Sequence, residues 1–144
     1  MYLTTGISDF SVGPFQMKPS FIEDMEKYVC DNPKLAKKYN NLISQGSNRE
    51  KRKFRLEYLS SWFGQLKYLE LFIMIAKSRT KTIDFKSVED KLKYWATLYN
   101  AGINCSHEKV IRLQKIKSYP KFYNKFNYSE VSYEFFLKLH ESGW

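Results

Sequence analysis

Leu66-Lys67-Tyr68-Leu69-Glu70-Leu71-Phe72-Ile73-Met74-Ile75-Ala76 is the stretch that decides how this chain folds. It is apolar on most faces of a helix, the pattern of a central helix buried in a small all-α domain. It is also too short to cross a bilayer, which takes roughly 20 apolar residues. The stretch is the second half of the longest periodic segment, residues 49–79. There Phe54, Tyr58, Leu59, Trp62 and Phe63 keep the three- and four-residue spacing of an amphipathic helix. Gly64 marks the place where that segment kinks or splits.

Working outward, most of the chain after residue 18 reads as helix. Pro19 suits a first helical position, and Asn32-Pro33 reads as an N-cap followed by an N1 proline. Leu35, Tyr39, Leu42 and Ile43 continue that second helix up to Gly46. Ser87-Val88-Glu89-Asp90 opens a further helix in the manner of a capping box, and Gly102 stands where a C′ glycine would stop it. Ser106 caps a short helix, Pro120 interrupts, and residues 127–130 start a last one. Residues 80–85 form the only modest β-like run. No repeat or linker stands out, so the expectation is one all-α domain over residues 1–144.

Composition agrees. The 144 residues are 43% hydrophobic and 17% aromatic, which excludes wholesale disorder. Lys and Arg number 24 against 15 Asp and Glu, a net charge of +9. Such a surplus suits a polyanionic partner: nucleic acid, an anionic membrane surface or an anionic wall polymer. Positive residues gather at Lys34, Lys37, Lys38, Arg49, Lys51, Arg52, Lys53 and Arg55, and again over residues 109–125. Cys30 and Cys105 are the only cysteines and lie in no metal-binding spacing, so no metal or other cofactor is expected. They form one disulfide or remain two free, buried thiols. His107 and His140 read as surface residues.

Two short motifs stand out from this helical background. The first is Ser11-Val12-Gly13-Pro14-Phe15-Gln16-Met17, a glycine-proline turn carrying one polar side chain. The second is Ala96-Thr97-Leu98-Tyr99-Asn100-Ala101-Gly102, a helix end stopped by glycine. In this order they resemble the lytic transglycosylase and goose-type lysozyme superfamily. That family carries a Ser-x-Gly-Leu-Met-Gln-type turn after its catalytic glutamate, and an Ala-x-x-Tyr-Asn-x-Gly helix end downstream. The resemblance implies a lysozyme-like helical fold and peptidoglycan glycan strands as partner. It implies Ser11, Gly13, Gln16, Tyr99 and Asn100 as substrate-binding residues, with Gln16, Tyr99 and Asn100 converging on one concave groove. The implied reaction is cleavage of the glycan strand, by a lone carboxylic acid that protonates the leaving oxygen.

The glutamate that the family pattern requires is missing: no Glu lies among residues 1–12, where Asp9 is the single acid. Three readings follow. The chain is N-terminally truncated, the lost segment carrying both export signal and glutamate; or it is a relative that binds glycan without cutting it; or Asp9 serves as acid. Export would place the protein in the periplasm or outside the cell, whereas residues 1–6 carry no signal-peptide pattern and suit the cytoplasm. The aromatic tail from Tyr119 to Tyr133 reads as packing rather than a sugar wall, and Ser11 has no base beside it. The alternative of another class is a basic helical nucleic-acid-binding module, resting on the run at residues 49–55 but on no recognised motif.

Overall fold

A computed structural model describes residues 11–116, 119–121, 124–126 and 128–141. The protein is all-α, and the chain divides into two compact units, Met1–Ser78 and Arg79–Trp144. The first unit holds α1 (Pro19–Cys30), α2 (Pro33–Tyr39), a 3-10 turn (Asn40–Leu42), α3 (Asn48–Ser60) and α4 (Trp62–Arg79), which ends at the boundary. The second holds α5 (Val88–Ala101), α6 (His107–Gln114), a hairpin of β1 (Tyr119–Lys121) and β2 (Asn124–Phe126), and α7 (Tyr128–Glu141).

Local chemistry sets these boundaries. Pro19 and Pro33 begin α1 and α2, where a missing N–H costs nothing. Ser47 and Glu50 form a reciprocal capping box at α3. Ser87 and Ser106 accept the N–H groups of Asp90 and Lys109 and so cap α5 and α6. Gly102 ends α5 at φ 95°. The expected long segment over residues 49–79 is two helices. The break falls at Ser61, whose backbone is extended and whose hydroxyl accepts the Gly64 N–H at 2.9 Å. A Cβ on Gly64 would stand 2.1 Å from the Tyr58 carbonyl oxygen, so only glycine allows so tight a reversal.

The restart also sets which side of α4 faces inward. Gln65, Tyr68, Leu71, Phe72, Ile75 and Ala76 form the buried stripe. Trp62 and Leu66 fall on the other side, at 60% and 40% exposure, so the helix is not buried all round as the sequence suggests. Residues 80–85 form no strand; the Ile83 N–H closes a turn onto the Thr80 carbonyl. The β structure lies instead at residues 119–121 and 124–126, paired Tyr119 to Phe126, Pro120 to Lys125 and Lys121 to Asn124. A two-stranded hairpin has only edges, so it tolerates Pro120.

The first unit is organised around a buried charge. Glu26 of α1 takes the Arg55 side chain through two hydrogen bonds, Nε at 3.2 Å and Nη2 at 2.7 Å, and the Ser44 hydroxyl at 2.7 Å. This ties α1, α3 and the segment after α2 together. Burial opposes the Arg55 charge, but the Glu26 hydrogen bond and its charge outweigh it, and the guanidinium pKa is raised. Burial, with the Glu26 charge added to it, holds the neighbouring Tyr68 hydroxyl well above its ordinary range and so neutral. In the second unit α5 packs against α6 and α7, and Lys93 of α5 bridges Glu89 and Glu130 at 2.7 Å each.

Removing one partner of a buried pair leaves an uncompensated charge. Arg55→Met should therefore cost about 3 kcal/mol of unfolding free energy in urea titrations, with Glu26→Gln/Arg55→Met recovering part of the loss.

Candidate functional site

The first motif folds as a four-residue hairpin loop, residues 13–16, closed by an antiparallel bridge between Val12 and Met17. The Val12 N–H donates to the Met17 carbonyl at 2.8 Å, and the Met17 N–H returns the bond at 3.2 Å. Inside the loop the Gly13 carbonyl accepts twice from Gln16, from its backbone N–H at 3.0 Å and from its side-chain Nε2 at 2.8 Å. Two residues lie in the left-handed region, Gly13 at φ 68° and Gln16 at φ 51°. Glycine adopts it freely, whereas in Gln16 it costs on the order of 1 kcal/mol. The bridge and the paired bonds onto one carbonyl hold Gln16 there, with its side chain exposed.

The turn rests on Gln65, a buried amide of α4. Gln65 Oε1 accepts the Phe15 N–H at 3.1 Å, and its Nε2 donates to the Leu59 carbonyl near the end of α3 at 2.7 Å. Gly13 is needed here for space as well as conformation, since a Cβ would stand 1.4 Å from Gln65 Nε2. Met17, itself buried, anchors the far end of the loop, and Ser11 is exposed just before it.

Aromatic rings lie beside the turn. Phe15 meets Trp62 with ring centroids 5.3 Å apart and planes tilted by 31°. Phe63 is 63% exposed, and Lys67 Nζ sits 5.7 Å from its ring centre. The sequence places Trp62 and Phe63 among the apolar positions of one long amphipathic helix and marks no role for Gln65. The signal that could have found Gln65 was its place as an uncharged polar residue in an otherwise apolar stripe.

Behind the rings, Glu70 accepts from Lys38 at 3.1 Å, from the Tyr39 hydroxyl at 2.9 Å and from Lys67 at 3.2 Å. The Lys38 bond, followed by those of Tyr39 and Lys67, holds its carboxyl down at about 2. A shallow recess of about 640 Å³ lies elsewhere on this unit, lined by Asn32, Leu35, Met74 and Lys77 among others; none of the expected site residues lines it.

The second motif belongs to the other unit. Tyr99 is half-buried and Asn100 exposed on the last turn of α5, and the Gly102 N–H closes that turn onto the Leu98 carbonyl at 3.0 Å. Nothing crowds a Cβ at Gly102, so its role is conformational. Nearby, His107 Nδ1 lies 3.2 Å from the Tyr94 hydroxyl, and burial raises the Tyr94 pKa. Asp9 lies outside the described residues. Both cysteines are free thiols, Cys105 buried but Cys30 exposed, because Cys30 falls on the outer side of α1's last turn. Among the described residues no cluster could hold a metal ion, and no helix is long and apolar enough to cross a membrane. A scan against protein-family models and searches of curated proteins and of solved structures each returned no match to the chain.

Two predictions test this architecture. Gln65→Ala removes the bond from the Phe15 N–H and leaves the buried Leu59 carbonyl without its side-chain donor, and should cost about 2 kcal/mol in urea unfolding; Gly13→Ala should likewise lower the midpoint. Glu70 has a folded pKa below its unfolded one, so it contributes stability above about pH 4.5 that is lost as the pH falls toward 2. The gap in thermal midpoint between wild type and Glu70→Gln should be widest above pH 5 and close near pH 2.

Proposed function

We propose that the protein binds the glycan strands of peptidoglycan, as a relative of the lytic transglycosylase and goose-type lysozyme superfamily, and that the 12–17 turn is the sugar-contacting element of its first unit. The observation that carries this reading is Gln16. An exposed polar residue is held in an unfavourable backbone conformation by four hydrogen bonds of its own loop and by a buried tether beneath it. Strain that the surroundings over-determine in this way gathers at ligand-contacting positions. A primary amide donates and accepts at once, as an acetamido group and a ring of hydroxyls require. The adjoining Phe15 ring offers an apolar face for the C–H side of a sugar.

The same reading assigns Tyr99 and Asn100 to sugar contact in the second unit, a ring and an exposed amide. The net charge of +9 favours an anionic wall polymer and mainly speeds encounter. Nucleic acid is the weaker partner. The run at residues 49–55 loses Arg55 to the buried pair with Glu26, and Lys53 pairs with Glu57 at 3.7 Å.

Binding and proton transfer use different groups, so strands are held without a general acid. Lacking the family glutamate, the chain should release little or no soluble product from peptidoglycan, because general acid catalysis is typically worth roughly 10²–10⁴-fold. Turnover that Asp9→Asn abolishes would make Asp9 the acid. A pull-down on insoluble peptidoglycan tests binding: Gln16→Ala and Asn100→Ala should each retain less protein than Lys51→Ala. Equal retention of all variants, at equal thermal stability, would overturn the role of both motifs. Displacement of wild type by duplex DNA would favour the nucleic-acid reading.

A further inference from the structure

We propose that the recess between α2 and α4 binds a fatty-acid carboxylate, at a site separate from the 12–17 turn and independent of the glycan reading. Its volume of about 640 Å³ falls within the roughly 300–1,000 Å³ of small-molecule sites. Pro33 and Leu35 of α2 and Met74 of α4 give it an apolar lining, and Lys34 and Lys77 stand among them, one from each helix. Met74, Lys77 and Ser78 follow the three- and four-residue spacing of a single helix face. Bonds outside the recess hold its walls. One turn further along α2, Lys38 and Tyr39 bond to Glu70 of α4 at 3.1 and 2.9 Å, and the Tyr28 hydroxyl of α1 donates to Ser78 at 3.2 Å. A ligand therefore meets a surface that is already formed, which lowers the cost of binding.

The charges select the head group. No acidic side chain lines the recess. Ion pairs among the described residues engage Lys38, Lys53, Arg55, Lys67 and Lys93, and neither Lys34 nor Lys77 enters one. The Ser78 hydroxyl accepts from Tyr28, so its own proton remains to be donated. Two ammonium groups and a hydroxyl proton are all donors, and a carboxylate is all acceptor. The lining selects the rest of the ligand. It holds no aromatic ring on which a sugar or a base would stack. The Asn32 side-chain nitrogen is spent on the Tyr28 carbonyl at 2.7 Å. A peptide laid in the recess would bring backbone N–H and C=O groups that Pro33, Leu35 and Met74 cannot pair. An acyl chain brings one charged end and otherwise only methylenes, each worth about fourfold in affinity when fully buried.

The test titrates octanoate, dodecanoate and dodecyltrimethylammonium, each below its micelle concentration, into the full chain by calorimetry. Wild type should bind one dodecanoate per chain, about tenfold or more tighter than octanoate, since four buried methylenes are worth over about a hundredfold and a shallow recess covers part of them. The trimethylammonium of equal chain length should bind about tenfold or more weaker than dodecanoate, because its charge has the wrong sign. Lys34→Met/Lys77→Met keeps apolar stems without the charges, and should lose about tenfold in dodecanoate affinity at an unchanged thermal midpoint. No dodecanoate binding by wild type, or equal affinity for dodecanoate and octanoate, would overturn the proposal. Equal dodecanoate affinity in wild type and Lys34→Met/Lys77→Met would overturn it as well. A capped peptide of alternating leucine and glutamate that bound more tightly than dodecanoate would make the occupant a peptide and overturn the acyl assignment. Should the double variant lower the midpoint, Lys34→Arg/Lys77→Arg decides: affinity near wild type supports the proposal, and a tenfold loss overturns it. None of these outcomes bears on the glycan reading, whose residues lie outside the recess.

Discussion

The carboxamide of Gln65 joins two backbone groups from separate segments: it accepts the Phe15 N–H at 3.1 Å and donates to the Leu59 carbonyl at 2.7 Å. Leaving the Leu59 carbonyl unsatisfied is expensive, because that bond is buried. The position of the turn and the space that Gly13 occupies above it follow from that one side chain, while the start of α4 is set by the Ser61 cap and Gly64. Asparagine would be a methylene too short to hold both partners, and glutamate could not donate to a carbonyl. The geometry therefore specifies glutamine by reach and by donor–acceptor order together.

Electrostatics acts on a second level. The chain is strongly basic, yet several of its cations are committed to internal work. Arg55 is buried against Glu26, Lys38 and Lys67 converge on Glu70, and Lys93 links two acids of α5 and α7. The surface field is thus weaker and less focused than the run of positive residues on α3 suggests. This favours a partner recognised through polar and ring contacts, with charge serving the approach.

Much of the helical architecture was legible in the sequence because its signals are local. Pro19, Asn32-Pro33, Ser87, Gly102 and Ser106 each mark a boundary through a preference set within a few residues, and each marks it where the structure does. What escaped depends on contacts distant in sequence. Arg55 looked like one more member of a basic cluster because its partner, Glu26, lies on another helix. Trp62 and Leu66 looked buried because periodicity alone does not reveal that Ser61 breaks the helix and resets its inward face. The hairpin at residues 119–126 was missed because Pro120 read only as a breaker, while the β-like residues at 80–85 lack a partner strand among the described residues. Of the candidate site, the turn and its Gln16 were visible; the rings beside it and the amide below it were not.

The bond from Phe15 to Gln65 joins residues 50 positions apart, whereas the loop that it supports is only four residues long. A peptide spanning the loop could close its own bridge but would lack the tether, so the left-handed state of Gln16 would be one of several it samples. In the whole chain the tether to Gln65 narrows that sampling to the one state. The conformation of the turn is thus a product of completed folding. A ligand that bound only this conformation would stabilise the folded unit by mass action, raising the thermal midpoint as its concentration rises.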